Sequence, residues 1–250
     1  MNTLKIYDLT PSDWKQLQTF TATILSECGF DTEIEKTIET VRGKVEVDVH
    51  AQRKAAFDSK IICECKYWQS PVPQTVIHAF RTIINDSGAS RGYIISKAGF
   101  QKGAYEAIVK SNVSILSWEE FQEKFKLEWL TQLIERNYKI GRELMRLSHD
   151  MVTELHKESL RFDEAQMNGF YEKKESDFIF FTFKEHFLDL DNYEISYHQI
   201  DSSIDSFQRK HSVNFSSYRD FFNTMHTECK KIIAGWESTL SGLKTPPHID

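Results

Sequence analysis

Two things are scarce in this 250-residue sequence, long apolar runs and cysteine, and each scarcity excludes a class of protein. The longest apolar run lies around Phe178 to Phe183, far short of the roughly 20 residues that cross a bilayer, so no membrane span is expected. Met1 to Lys5 lead into Asp8, Pro11 and Asp13 without a basic patch and a following apolar stretch. No secretory signal is expected, and the expected location is the cytoplasm. Four cysteines, two of them in Cys63-Glu64-Cys65, are too few and too badly spaced for a disulfide framework, so reduced thiols are expected. Ten Gly and five Pro, with 40% hydrophobic and 27% charged residues, exclude fibrous and low-complexity classes and describe an ordinary globular chain. An excess of basic charge is missing too. Lys and Arg balance Asp and Glu at 16 each over residues 1–127, and the whole net charge of -6 falls in residues 128–250. Such a chain does not coat nucleic acid without regard to sequence, because Lys and Arg on phosphates supply most of that affinity. Any nucleic-acid contact must be local.

Residues 12–28 place Trp14, Leu17, Phe20, Thr21, Ile24, Leu25 and Cys28 at helical spacing, behind Thr10-Pro11-Ser12 and before Gly29. Residues 31–41, the break at Arg42-Gly43 and the alternation Val45-Glu46-Val47-Asp48-Val49-His50 predict a hairpin. Lys60 to Lys66 reads as a central strand. Helical spacing over Val72 to Ile84 and Phe100 to Val109 alternates with strand patterns at Gly92 to Ile95 and Val113 to Trp118. That order predicts an α/β sandwich whose sheet is at least partly parallel. Beyond Glu119, Leu127, Leu130, Leu133, Ile134, Ile140, Leu144 and Leu147 recur at helical spacing, predicting one or two long helices. The aromatics from Phe178, Phe180, Phe181, Phe183 and Phe187 to Phe207, Phe215, Phe221, Phe222 and Trp236 predict further packed helices. The expected division is therefore an α/β domain at 1–125, a mixed sheet flanked by helices, and an all-α domain at 126–250.

Strand alternation puts Glu46, Asp48 and His50 on one face and Val45, Val47 and Val49 on the other. On the next strand it puts Glu64 and Lys66 together, opposite Ile61, Cys63, Cys65 and Tyr67. Two neighbouring strands thus offer two carboxylates and an amine. Phosphodiester hydrolysis needs that set: carboxylates to hold a hard cation such as Mg²⁺, and a positive charge where negative charge develops. The plainer reading is two strand carboxylates with a surface ion-pair partner, and spacing leaves both open.

The run Gly43 to Asp48, followed by Glu64-Cys65-Lys66-Tyr67-Trp68, resembles the Asp and (Asp/Glu/Gln)-X-Lys signature of Mrr-like restriction endonucleases of the PD-(D/E)XK superfamily. Val76 to Phe80, Gly88-Ala89-Ser90-Arg91-Gly92, Tyr93 to Ser96 and Gly99-Phe100 resemble that family's following segment, so the likeness covers about the first half of the chain. It implies a restriction-endonuclease-like fold that cuts double-stranded DNA with Mg²⁺ or Mn²⁺. Asp48 and Glu64 are then the expected metal ligands, with Asp48, Glu64 and Lys66 the catalytic set. The family often carries a Glu in its first helix where this sequence has Gln18. Gln18, whose amide can position a water, is kept as a further candidate, and Glu33 and Glu35 stand as possible third acids. Gln69, Ser70 and Gln74 follow Lys66 towards a helix N-terminus, and Gln74 is the one retained.

Other signals are weaker. Cys63 and Cys65 lack the second pair that Zn²⁺ sites need. The histidines of the helical half are scattered; Arg142 and His149, seven apart, faintly resemble the pair of the HEPN ribonucleases. The aromatics of residues 170–222 sit among acids, which favours a core or an oligomer interface over base stacking. The expected activity is DNA cleavage in restriction of foreign DNA, with repair or junction cleavage, or a non-catalytic binding module on the same fold, as alternatives. A homo-oligomer formed through the C-terminal half is expected to supply the second active site.

Overall fold

In the computed structural model, residues 4–54, 58–157, 188–189 and 194–244 are described. Their contacts divide them into two units, residues 7–132 and residues 133–250 with the first six, a boundary seven residues beyond the expected one.

The first unit begins with α1, Trp14–Glu27. Its start is fixed by Asp13, which accepts from Gln16 N–H and so satisfies one of the first-turn amides. Its end falls before Gly29, whose φ of +87° suits glycine. Then come β1 (Asp31–Thr40), β2 (Gly43–Arg53), β3 (Ser59–Lys66), α2 (Gln74–Asp86), β4 (Arg91–Ser96), α3 (Lys102–Ala107) and β5 (Val113–Leu116). The strands lie in the order β1-β2-β3-β4-β5. The β1–β2 and β2–β3 pairs are antiparallel; the β3–β4 and β4–β5 pairs, joined through α2 and α3, are parallel. This is the mixed sheet that the sequence predicts, and it is consistent with a restriction-endonuclease-like fold.

The register separates two faces. Ile62, Glu64 and Lys66 align with Gly92, Ile94 and Ser96, and Cys63 and Cys65 align with Tyr93 and Ile95. On the first face Ile62, Ile94, Val113 and Ile115 pack with Ile77, Phe80 and Ile84 of α2 and Ala104 of α3. Each such buried aliphatic or aromatic side chain contributes about 1.5–3 kcal/mol relative to exposure. Gly92 sits under α2 so closely that a Cβ would lie 2.6 Å from Ile84 Cγ1 and 2.8 Å from Phe80 Cε1. On the second face Tyr93 makes edge contacts with Phe121 and Phe125, and the Cys65 thiol meets Thr21 of α1.

Helix α4 runs unbroken over Trp118–Lys157, one helix where one or two were expected. Its early turns belong to the first unit: Trp129 and Leu130 are fully buried, and Trp129 Nε1 donates to Glu27. In the second unit, a two-residue ladder pairs β6 (Leu188–Asp189) with β7 (Glu194–Ile195). Helices α5 (Tyr197–His211) and α6 (Tyr218–Lys244) follow. Leu144, Leu147 and Met151 of α4 pack against Cys229, Trp236 and Leu240 of α6. Phe207, Phe215, Phe221 and Phe222 are buried together, as a core reading of the aromatics requires. Phe178 to Phe187 lie outside the described residues.

Three details depart from the sequence reading. His50, grouped with the outward-facing Glu46 and Asp48, is buried, because it lies where β2 pairs with β1 and β3 at once. Leu127, counted in the apolar stripe, is 53% exposed, while Leu133, Leu144 and Leu147 are buried within the second unit. The helix expected over Phe100 to Val109 is shorter, since Phe100 bridges to Val72 before α3 begins.

Candidate active site

Asp48 lies where β2 leaves β3. The β2–β3 register ends at Val49↔Cys63, and further along β3 the Cys65 N–H donates to Asp48 Oδ2 at 2.6 Å. From the other side Gln18 of α1, only 4% exposed, donates its amide Nε2 to Asp48 Oδ1 at 2.8 Å. Strand and helix therefore hold the carboxylate by one oxygen each. Glu64 and Lys66 share a face of β3, as alternation requires, and Lys66 Nζ meets Glu64 Oε1 at 2.5 Å. Both side chains of this pair are about one-fifth exposed, at 20% and 18%, so the pair is shielded yet reachable. Burial and, after it, the nearby Asp48 charge raise Glu64 above its ordinary value, against the pull of Lys66. Glu64 thus lies close to a second carboxylate in a sheltered place.

The donor set fits a hard divalent ion. Asp48 and Glu64 supply only oxygen, and an ionised carboxylate offers about four acceptor positions, of which each acid has given up one or two. Among the described residues no group of three or more His, Cys, Asp or Glu gathers round a common point. Glu33 is exposed and paired with Lys36, and Glu35 is exposed with φ of 51°. Neither joins the two acids. Burial raises the thiols of Cys63 and Cys65, the opposite of what a thiolate ligand needs.

The loop after β3 forms the rim. Trp68 is 40% exposed, and its ring lies 5.2 Å from Lys66 Nζ, opposite no other ring partner of that lysine among the described residues. Lys97, just past β4, donates its N–H to Lys66 O and sets its ammonium 4.2 Å from the Tyr67 ring. Nothing in the residue pattern singled out Lys97. The signal was available in the topology, since parallel neighbours end on the same rim and Lys66 aligns with Ser96. Gln69 and Ser70 are exposed. Gln74 opens α2, exposed, with its side-chain amide lying over Gly103 of α3. Its recorded neighbour is thus α3 rather than the two acids. Arg142 and His149 are both exposed on α4.

Comparison with known proteins bears on the same segment. Residues 9–125 match the Mrr catalytic-domain family, described as restriction endonuclease, and so include Gln18, Asp48, Glu64 and Lys66. No curated protein matches. Among solved structures, the protein of unknown function AF1548 is 14% identical, with 92% of this chain and 98% of that one covered, at a TM-score of 0.38. The MspJI restriction endonuclease in complex with a 27-mer oligonucleotide is also 14% identical. There 46% of this chain and 28% of that chain are covered, at a TM-score of 0.30. Scores this low define no shared architecture for the whole chain. No helix of the described residues is long and apolar enough to cross a membrane.

Proposed function

We propose that the protein, whose residues 9–125 match the restriction-endonuclease family, is a metal-dependent endonuclease hydrolysing double-stranded DNA. The observation that carries this reading is the gathering of Asp48, Glu64 and Lys66 at one end of β3, with Asp48 fixed from α1 and from β3. A random trio of surface charges has no buried amide reaching across from another element to hold one member in place.

The chemistry follows from the residues. Asp48 and Glu64 hold Mg²⁺ or Mn²⁺, which when bound polarises the scissile phosphate and eases ionisation of the attacking water. Lys66, kept beside Glu64, presents a positive charge to the phosphate as negative charge builds on its oxygens. The Trp68 ring lies 5.2 Å from that ammonium, and Lys97, bonded through its N–H to Lys66 O, sets a second ammonium over the Tyr67 ring. The water oxygen forms a bond to phosphorus, one phosphorus–oxygen ester bond breaks, and the departing oxygen takes up a proton. Gln18 acts on Asp48, and Gln74 stands at the edge of the loop as a contact to the DNA backbone. Restriction of foreign DNA in the cytoplasm is the cellular role we infer. Cutting both strands requires two such sites, so we infer that two chains act together, with residues 126–250 as the assembling and controlling half.

Incubating the full chain with supercoiled plasmid, with and without Mg²⁺ or Mn²⁺, tests the activity. Conversion to nicked and linear forms is expected with metal and not with EDTA. Metal-independent cutting, or cutting that survives Asp48→Asn and Glu64→Gln, would defeat the proposal.

A further inference from the structure

Gln18 gives this site a feature that two acids and a lysine alone do not. The side chain is 4% exposed and bonded to Asp48 Oδ1 at 2.8 Å. An ionised carboxylate only accepts, so the amide must present its NH₂ and turn its own oxygen elsewhere. The position beside Asp48 where a further anionic ligand would stand is thus filled by a neutral donor. Cys65 N–H occupies the other oxygen. No third His, Cys, Asp or Glu joins Asp48 and Glu64 among the described residues. Sites that hold two divalent ions about 3.5–4 Å apart need ligands bridging and flanking both. Two carboxylates, one of them already paired with Lys66, are too few to bridge and to flank a pair of ions.

We propose that Gln18 is a positioning residue that orients Asp48 and confines the site to one divalent cation. The inference rests on the reading of Asp48 and Glu64 as metal ligands.

Counting Mn²⁺ bound to the full chain by electron paramagnetic resonance tests it, with Asp48→Asn as the reference that subtracts ions held elsewhere. One ion lost on Asp48→Asn supports the inference. Two ions lost would overturn it and leave the metal reading standing; no ion lost would overturn both. Gln18→Leu should keep the single ion but bind it about 10–100-fold more weakly, the usual effect of losing a group that orients a ligand. Binding as tight as in the unsubstituted chain would refute the positioning role. Gln18→Glu is nearly isosteric and serves if the leucine variant does not fold. It replaces the donor by a third carboxylate, so the count should rise to two, and a count that stays at one would show that the amide does not set it.

Discussion

Replacing Lys66 by Met keeps the length of the side chain and removes its charge, which separates a catalytic lysine from a merely structural ion-pair partner. The ammonium stands 2.5 Å from Glu64 Oε1 in a pair with about one-fifth exposure. A unit charge about 4 Å from developing phosphate charge, at an effective dielectric near 20, is worth roughly 4 kcal/mol. At about 1.4 kcal/mol per tenfold, that predicts a single-turnover rate lower by roughly 10³. Losing one charge-assisted hydrogen bond costs about 1.5–3 kcal/mol when shielded, and less with this exposure. A Tm lower by a few degrees is therefore expected, at roughly 2–4 °C per kcal/mol for a chain of this size. Single-turnover cleavage of plasmid at saturating Mn²⁺, with a thermal melt and a Mn²⁺ titration on the same sample, reads all three quantities. The expected pattern is a large loss of rate, a small loss of stability and retained metal. A folded Lys66→Met that cuts within about threefold of the parent would refute the electrostatic argument. Loss of Mn²⁺ together with activity would instead assign Lys66 a role in ordering Glu64.

Trp68→Ala should lower the cleavage rate about 3–30-fold, the range of a partly exposed cation–π contact, while Trp68→Tyr retains most of it; equal rates in the two variants would separate the ring from the reaction. Gly92→Ala should destabilise by about 1–3 kcal/mol, since its Cβ would press on Ile84 and Phe80, and an unchanged urea midpoint would contradict that packing. Burial, then Arg136 and Lys230, lower His226 below its ordinary value of 6.5. The unfolded chain then binds the proton more readily, so stability is intact above pH 6.5 and falls as pH drops through and below it; thermal melts at pH 7.5 and 5.5 should show a smaller acid loss in His226→Gln. Light scattering under cleaving conditions should find more than one chain per particle, and a monomer that linearises plasmid in one encounter would remove the need for pairing.

The fold of the first unit was legible because its strands carry two separate periodic signals. Val45 to His50 alternates as a half-covered antiparallel strand, and Tyr93 to Ile95 is the short apolar run of a strand buried on both sides. Gly43, at positive φ, marks the hairpin turn that the break at Arg42-Gly43 predicts. Periodicity misjudged Leu127, because helical spacing says which residues share a face and not which turn of a 40-residue helix has a neighbour. Farther along the same spacing, Leu144 and Leu147 pack on α6.

For the site, alternation correctly joined Glu64 to Lys66 but treats Asp48 as simply the next rung. Continued past Val49↔Cys63, an unbroken ladder would oppose Asp48 to Glu64 and use the β3 amides on backbone carbonyls. Instead the register stops, and the Cys65 N–H bonds to the Asp48 carboxylate. No single-residue signal announces the point at which one strand leaves another, so that bond and the one from Gln18 were invisible in the sequence. The difference decides how the site should be probed. Asp48→Ala would withdraw an acceptor from a β3 amide and a partner from a buried glutamine, adding a stability loss of about 1–3 kcal/mol to any loss of metal. Asp48→Asn keeps an oxygen for the Cys65 amide and removes the charge, and a flip of the Gln18 amide lets its oxygen accept from the new NH₂. A rate loss in Asp48→Asn therefore reports on metal and chemistry, and the additional loss of stability in Asp48→Ala measures how far the same carboxylate holds β3 and α1 together.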